Sequence, residues 1–195
     1  MRWSARAVAG ALALGAGLAG CTTLAPPATA DITTGRFALT IRGVGSDGAP
    51  RSESQSGRFT LAQAGAVTTL DLATPLGTTL ARLQASPAGA RLQVPEAGGL
   101  REVSEPDAEA LAERVLGFPL PLAGLPAWVR GVPLASRPAV PLTDADGFRQ
   151  DDWRVRFDER YGGALAPRPR RLTLARDATA VAPAITLRIV LDDPP

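Results

Sequence analysis

The strongest constraint on this chain is an alternation of apolar and polar residues with a period of two, repeated in separate runs. Phe37, Leu39 and Ile41 alternate with Ala38 and Thr40, and Phe59 with Leu61 repeats the pattern after Arg58. Leu70 and Leu72 follow, then Trp153, Val155 and Phe157 between Arg154, Arg156 and Asp158, then Leu172 and Leu174, then Ile185, Leu187, Ile189 and Leu191. Successive side chains of a strand point to opposite faces, so each run describes a ribbon with one apolar and one wet side. Ribbons of this kind, divided by Gly, Pro and Asp, predict an antiparallel meander curved into a barrel or half-barrel. The expected fold class is mainly β with inserted helices (α+β). An inward apolar face is by default a packed core, and periodicity alone does not separate a core from a cavity.

One stretch breaks the strand rhythm. Ser104 and Asp107, around Pro106, make a capping-box-like start. Ala108, Leu111, Ala112 and Val115 then form an apolar stripe opposite Glu109 and Glu113, and Gly117 with Pro119 stops it. A second helical turn is predicted through Leu125-Pro126-Ala127-Trp128-Val129. Helices inserted in a meander must bury their apolar stripes, and the concave face of the curled sheet is the available surface. They are expected to act as a plug or lid.

The first thirty residues read differently from the rest. Arg2 and Arg6 precede an apolar run from Ala7 to Ala19, and Leu18-Ala19-Gly20 lead into the single cysteine, Cys21. This is the pattern of a secretory signal ending in a lipid-attachment box. The run is well short of the ~20 residues that cross a bilayer, so cleavage before Cys21 is the stronger reading. A cysteine left at a new amino terminus would carry two or three acyl chains, an anchor far firmer than the marginal hold of one. Thr22 takes the place of the acidic residue that retains such proteins at an inner membrane, which points to the outer membrane. The expected organisation is a signal peptide over 1–20, a lipidated tether over 21–30, and one domain over 31–195.

Composition narrows the chemistry. All 21 basic residues are Arg, against 19 Asp plus Glu, and loss of Arg2 and Arg6 with the signal leaves the two signs in balance. Nucleic acid as a partner loses its electrostatic basis. With no His and with Cys21 given to lipid, the chain cannot build a Ser-His-Asp or Cys-His nucleophile, a Cys/His zinc site or an internal disulfide. The acidic pairs Asp144 and Asp146, Asp151 and Asp152, and Asp158 and Glu159 sit beside Gly, Arg or turn residues, and read as solvated turn charge. No glycine cluster follows a strand and opens a helix as a phosphate loop does. The expectation is no catalytic group, no cofactor and no metal. An enzyme working with carboxylates alone and a lipid-anchored structural or envelope-assembly lipoprotein with a filled core remain the alternatives.

Thr74-Pro75-Leu76-Gly77 lies between the apolar run at Leu70-Leu72 and Thr78-Thr79-Leu80. Pro second and Gly fourth suit a type I turn, which puts Leu76 at the tip of a hairpin. A lone exposed apolar residue is ordinary on a protein surface. Beside a lipid anchor it becomes a finger that can enter the bilayer.

Six segments in order carry a family resemblance: Gly35-Arg36-Phe37-Ala38, Thr74-Pro75-Leu76-Gly77, Leu116-Gly117-Phe118-Pro119-Leu120-Pro121, Trp128-Val129-Arg130-Gly131-Val132-Pro133, Trp153 with Tyr161, and Pro169-Arg170-Arg171-Leu172-Thr173-Leu174. Behind a lipid-attachment box, they resemble the LolB family of outer-membrane lipoprotein receptors. The resemblance implies an incomplete antiparallel β-barrel, LolA/LolB-like, with a helical lid over an apolar cavity. It implies a receptor that accepts acylated lipoproteins from a periplasmic carrier and inserts them into the inner leaflet of the outer membrane, working as a monomer. It also implies that Leu76, with Pro75 and Gly77 shaping its loop, serves membrane insertion. On that reading Phe37, Leu39, Ile41, Phe59, Leu61, Leu70, Leu72, Trp128 and Trp153 are the candidates for the acyl-chain cavity.

Overall fold

The structure, a computed structural model, describes residues 30–44, 49–116, 120–162, 168–180 and 182–193. The expected signal peptide, Cys21 and the tether up to residue 29 lie outside the described residues, as do Gly117 and Pro119 at the expected end of the first helix.

Six strands come first: β1 (Asp31–Val44), β2 (Pro50–Ala64), β3 (Val67–Ala73), β4 (Thr79–Ser86), β5 (Gly89–Glu96) and β6 (Gly99–Glu105). Two helices follow, α1 (Ala108–Leu116) and α2 (Leu125–Trp128), and then β7 (Ala139–Pro141), β8 (Gly147–Gln150), β9 (Trp153–Arg160), β10 (Pro169–Arg176) and β11 (Ala184–Leu191). All eleven strands join one antiparallel sheet in the order β6-β5-β4-β3-β2-β1-β11-β10-β9-β8-β7. The first and last strands meet in the middle, with Phe37 opposite Ile189 and Leu39 opposite Leu187. The free edges are β6 and β7, and the chain between them carries both helices. The barrel is open at the point where the helical segment crosses it.

Period-two faces sort the side chains as the sequence predicts. Val155, Leu172, Leu174, Ile185 and Ile189 are fully buried on the inner face, while Arg36, Arg58, Arg156 and Arg188 on the outer face are exposed. β6 carries a weak pattern, with Arg101 and Glu102 adjacent among few apolar residues, whereas Ala90, Leu92 and Val94 of β5 alternate with Arg91 and Gln93 but lie outside the runs singled out above.

The first helix starts as expected in place but not in detail. Asp107 alone caps it, its Oδ1 accepting from the Ala110 N–H at 2.8 Å, whereas Ser104 belongs to β6. Leu111 and Ala112 are buried where α1 packs on β5 and β6. The acidic pairs also need correction: Asp158 and Glu159 lie within β9 rather than in a turn, and each is held by arginine, Asp158 by Arg156 and Glu159 by Arg170.

Candidate functional site

Where the inner face of β1, β2, β3 and β11 meets the chain entering α2, an apolar cavity of about 80 Å³ remains. Phe37, Leu39, Phe59, Leu70 and Leu72 line it from the first three strands, and Leu187 and Ile189 from the last. Leu120, Pro121, Leu122 and Leu125 close it from the other side. No lining residue carries a polar side chain, so the cavity holds nothing that could orient a ligand by side-chain hydrogen bonds or move a proton. What it offers is removal of hydrocarbon from water, worth about 0.8 kcal/mol per methylene.

Two glycines lay the aromatic floor. Gly35 pairs with Phe59, and Phe37 with Gly57, so each ring crosses to cover a glycine on the neighbouring strand. A Cβ added at Gly35 would come within 2.8 Å of Phe59 Cε1 and against the Val190 carbonyl oxygen. One added at Gly57 would come within 2.9 Å of Phe37 Cε1 and against the Ala73 carbonyl oxygen. The space that these two missing side chains leave is filled by the rings that line the cavity.

The closing segment is pinned from behind. Trp128 is almost wholly buried, and its indole N–H donates to Gln150 Oε1 at 2.8 Å. The same oxygen accepts from the Leu134 N–H at 2.8 Å, while Gln150 Nε2 donates to the carbonyls of Leu134 at 3.0 Å and Arg137 at 2.9 Å. Every hydrogen-bonding group of one buried amide is thereby used to join α2, the following loop and β8. Phe148 meets Trp128 edge-on at 6.3 Å and Phe157 at 5.9 Å, extending the anchor into the sheet. At the helix side, Arg137 donates to Asp151 at 2.8 Å and to Glu109 at 3.5 Å, and the hydrogen bond to Asp151 leads in raising the guanidinium pKa above its ordinary value. At the far end of the sheet, the Tyr161 hydroxyl donates to the Leu191 carbonyl at 2.6 Å, and burial pushes its pKa up.

Of the nine cavity candidates from the sequence, Phe37, Leu39, Phe59, Leu70 and Leu72 come together around the cavity. Four do not. Leu61 is packed into the core, and Ile41 lies half-buried against that core. Trp128 is the anchor of α2, and Trp153 joins it at an adjoining pocket that shares Leu120 and Pro121 with the cavity and adds the charged side chains Glu109, Arg137, Asp151, Asp152 and Arg176. Period two identifies the inner face of a strand, but height along the strand decides which inner residues lie under the closing segment. Leu187 and Ile189 show the same periodic signal without being among the nine candidates, because only the β1–β11 pairing brings them to Phe37 and Leu39. The four closing residues, Leu120 to Leu122 and Leu125, have no periodic signal.

The Thr74–Gly77 turn projects from the sheet as expected. The Gly77 N–H donates to the Thr74 carbonyl at 2.9 Å, the Thr74 N–H donates to the Thr78 carbonyl at 2.8 Å, and the Thr78 N–H donates to Thr74 Oγ1 at 3.1 Å. Gly77 takes φ +95°, a left-handed conformation that a side chain would strain. Leu76 is 97% exposed, with nothing among the described residues to cover it.

The family model of the outer membrane lipoprotein LolB matches residues 33–193, almost all of the described chain. This chain belongs to the LolB family. An outer-membrane lipoprotein LolB from Cupriavidus pinatubonensis is 35% identical over 195 residues, covering 91% of this chain and 90% of its own. One from Bordetella pertussis is 37% identical over 188 residues, covering 91% and 87%. A crystal structure of a LolA superfamily protein from Nitrosomonas europaea aligns over 82% of this chain and 84% of that one, at 11% identity and a TM-score of 0.37. Membership in the LolB family makes this chain an outer-membrane lipoprotein that serves lipoprotein insertion into that membrane. It also ties the chain to lipoproteins as partners and to a LolA-like carrier.

Proposed function

We propose that the apolar cavity receives the acyl chains of a lipoprotein from a periplasmic carrier, and that the Leu76 turn delivers them into the inner leaflet of the outer membrane. The observation that carries this reading is a cavity lined only by apolar side chains, in a protein of this family. Acyl chains cannot cross water exposed, and such a lining lowers their free energy without holding them by hydrogen bonds. Release is then a matter of relative affinity. Each tenfold preference along carrier, receptor and membrane corresponds to about 1.4 kcal/mol, so transfer runs downhill with no nucleotide.

The cavity of about 80 Å³ is too small for this cargo as it stands. A dry apolar cavity of roughly 150 Å³ holds only a benzene. The closing segment from Leu120 to Leu125 therefore moves outward as a chain enters, while Trp128 and Gln150 hold the hinge behind it. Cys21 carries the lipid that keeps the domain at the membrane on its periplasmic side, with residues 22–30 as tether, and the receptor acts as a monomer.

The experiment mixes carrier loaded with a lipoprotein and the purified full chain, and follows the lipoprotein by co-purification. Transfer to this chain, with competition by a fluorescent apolar probe, is the expected result. A chain that takes neither lipoprotein nor probe has a filled core, and the reading fails.

A further inference from the structure

Around the foot of the Leu76 turn, on the face of the sheet away from the cavity, the strand register assembles a row of unlike residues. Arg36 pairs with Arg58, Arg58 with Ala73, and Ala73 with Thr79 across a local irregularity that leaves Leu80 next to the turn. Two residues beyond the Arg82–Gln93 pair, Leu80 and Pro95 share that face, and Pro95 pairs with Leu100. The row thus has two arginines on one flank, the turn rising from its middle, and Leu80, Pro95 and Leu100 on the other. Leu80 is 43% exposed and Leu100 65%. With strands about 4.8 Å apart, β4 and β6 are about 10 Å from each other, so these apolar side chains adjoin the finger.

The arginines are arranged against their own stability. Like charges directly opposite on neighbouring strands repel. Both are exposed, and among the described residues neither has a carboxylate partner. Of the acids that flank them on that face, Asp71 has both oxygens taken by Arg82, at 2.6 and 3.0 Å, and Asp192, beside Thr34, accepts from the Thr34 hydroxyl at 2.9 Å. Cationic and apolar side chains side by side at the foot of an apolar finger suit one kind of surface, in which phosphates lie just above hydrocarbon.

We infer that this row is a membrane-docking strip: Arg36 and Arg58 bind the phosphates of anionic phospholipids while Leu80, Pro95 and Leu100 settle at the acyl boundary beside Leu76. This rests on the reading that Leu76 enters lipid, and it adds that the domain leans its outer face on the leaflet rather than touching it at one point.

The test reconstitutes the full lipid-anchored chain in phosphatidylcholine vesicles, with and without phosphatidylglycerol, carrying Leu76→Trp or Leu100→Trp. Quenching of the added tryptophan by brominated acyl chains is read against the parent, whose Trp128 and Trp153 are buried. Quenching at both positions is expected in anionic vesicles. Arg36→Gln with Arg58→Gln should lower the ratio of quenched to unquenched protein roughly thirtyfold at low salt, about fivefold per arginine. Arg36→Lys with Arg58→Lys should retain it, and raised salt should reproduce the loss in the parent. Quenching at position 76 but not at 100 overturns the strip and leaves the finger standing, whereas quenching at neither overturns both. Equal quenching with glutamines at 36 and 58, or in uncharged vesicles, overturns the phosphate contact. If those glutamines slow uptake from the carrier and leave quenching unchanged, the arginines belong to a protein surface and the proposal is wrong.

Discussion

Two groups of leucines in this molecule have the same chemistry and opposite surroundings. Leu70, Leu72, Leu120 and Leu125 meet across a small cavity, closed by a segment that a fully bonded buried amide holds in place. Leu76, Leu80 and Leu100 stand in water at the rim, on a turn and two strand ends, and contribute nothing to the core. The first group holds the fold together and, on the proposed reading, makes room for hydrocarbon. The second stays exposed, and on the same reading its partner is the lipid of the outer membrane. Stability and delivery should therefore be separable by mutation.

The sharpest break comes at the tip. Leu76→Glu gives up the roughly 2 kcal/mol that burying a leucine returns and asks lipid to accept a charge, so delivery to vesicles should fall to background. The unfolding free energy should change by no more than about 0.5 kcal/mol, as for other surface changes. A variant that delivers normally would end the distinction between the two groups.

The opposite break targets the anchor of the closing segment. Gln150→Met keeps the approximate length of the side chain but strands the Trp128 indole N–H and the Leu134 N–H. Denaturant unfolding should lose about 3 kcal/mol, and an apolar probe should enter faster because the hinge is loosened. Gly57→Ala comes next, costing about 1–3 kcal/mol as the new methyl presses on Phe37 and the Ala73 carbonyl. Its probe affinity should fall with stability, whereas Leu76→Glu should leave probe affinity alone.

The smallest effect is electrostatic. Asp146 sits below the usual carboxylate range because Arg160 donates to it at 2.6 Å, an effect that outweighs its partial burial. A depressed folded-state pKa gives stability that is full above the unfolded pKa, about 4, and is lost as pH falls through the folded value. Asp146→Asn should flatten the acid limb of a stability-against-pH curve below pH ~4 and change little at neutrality, by less than about 1 kcal/mol for a pair whose carboxylate is exposed. Equal acid slopes in the two proteins would remove this contribution.

Much of the fold and part of the site are legible in the amino-acid sequence. Phe37, Leu39, Phe59, Leu70 and Leu72 can be assigned to an inner face because a strand alternates its side chains whatever its neighbours are. The Leu76 turn is legible because Pro75 fixes its φ and Gly77 permits a left-handed one, both locally, and the first helix because Asp107 and the stripe from Ala108 to Val115 act within a few residues. Trp128 and Trp153 fall outside the cavity for the complementary reason: their size suggests lining, while their partners, Gln150 above all for Trp128, are set by how distant segments pack.

What the sequence determined by itself is therefore local: which face each side chain takes, where the chain turns, where a helix can begin, and which chemistries a chain without histidine cannot perform. The tertiary structure alone decided that β1 pairs with β11, that the sheet stays open between β6 and β7, and that Leu120 to Leu125 close over Phe37 and Phe59 rather than over Leu61. It also aligned Arg36, Arg58, Leu80 and Leu100 in one row. Those outcomes depend on pairings between distant segments, whose loop-closure cost and packing gain are properties of the whole sheet and leave no mark in any short stretch of residues.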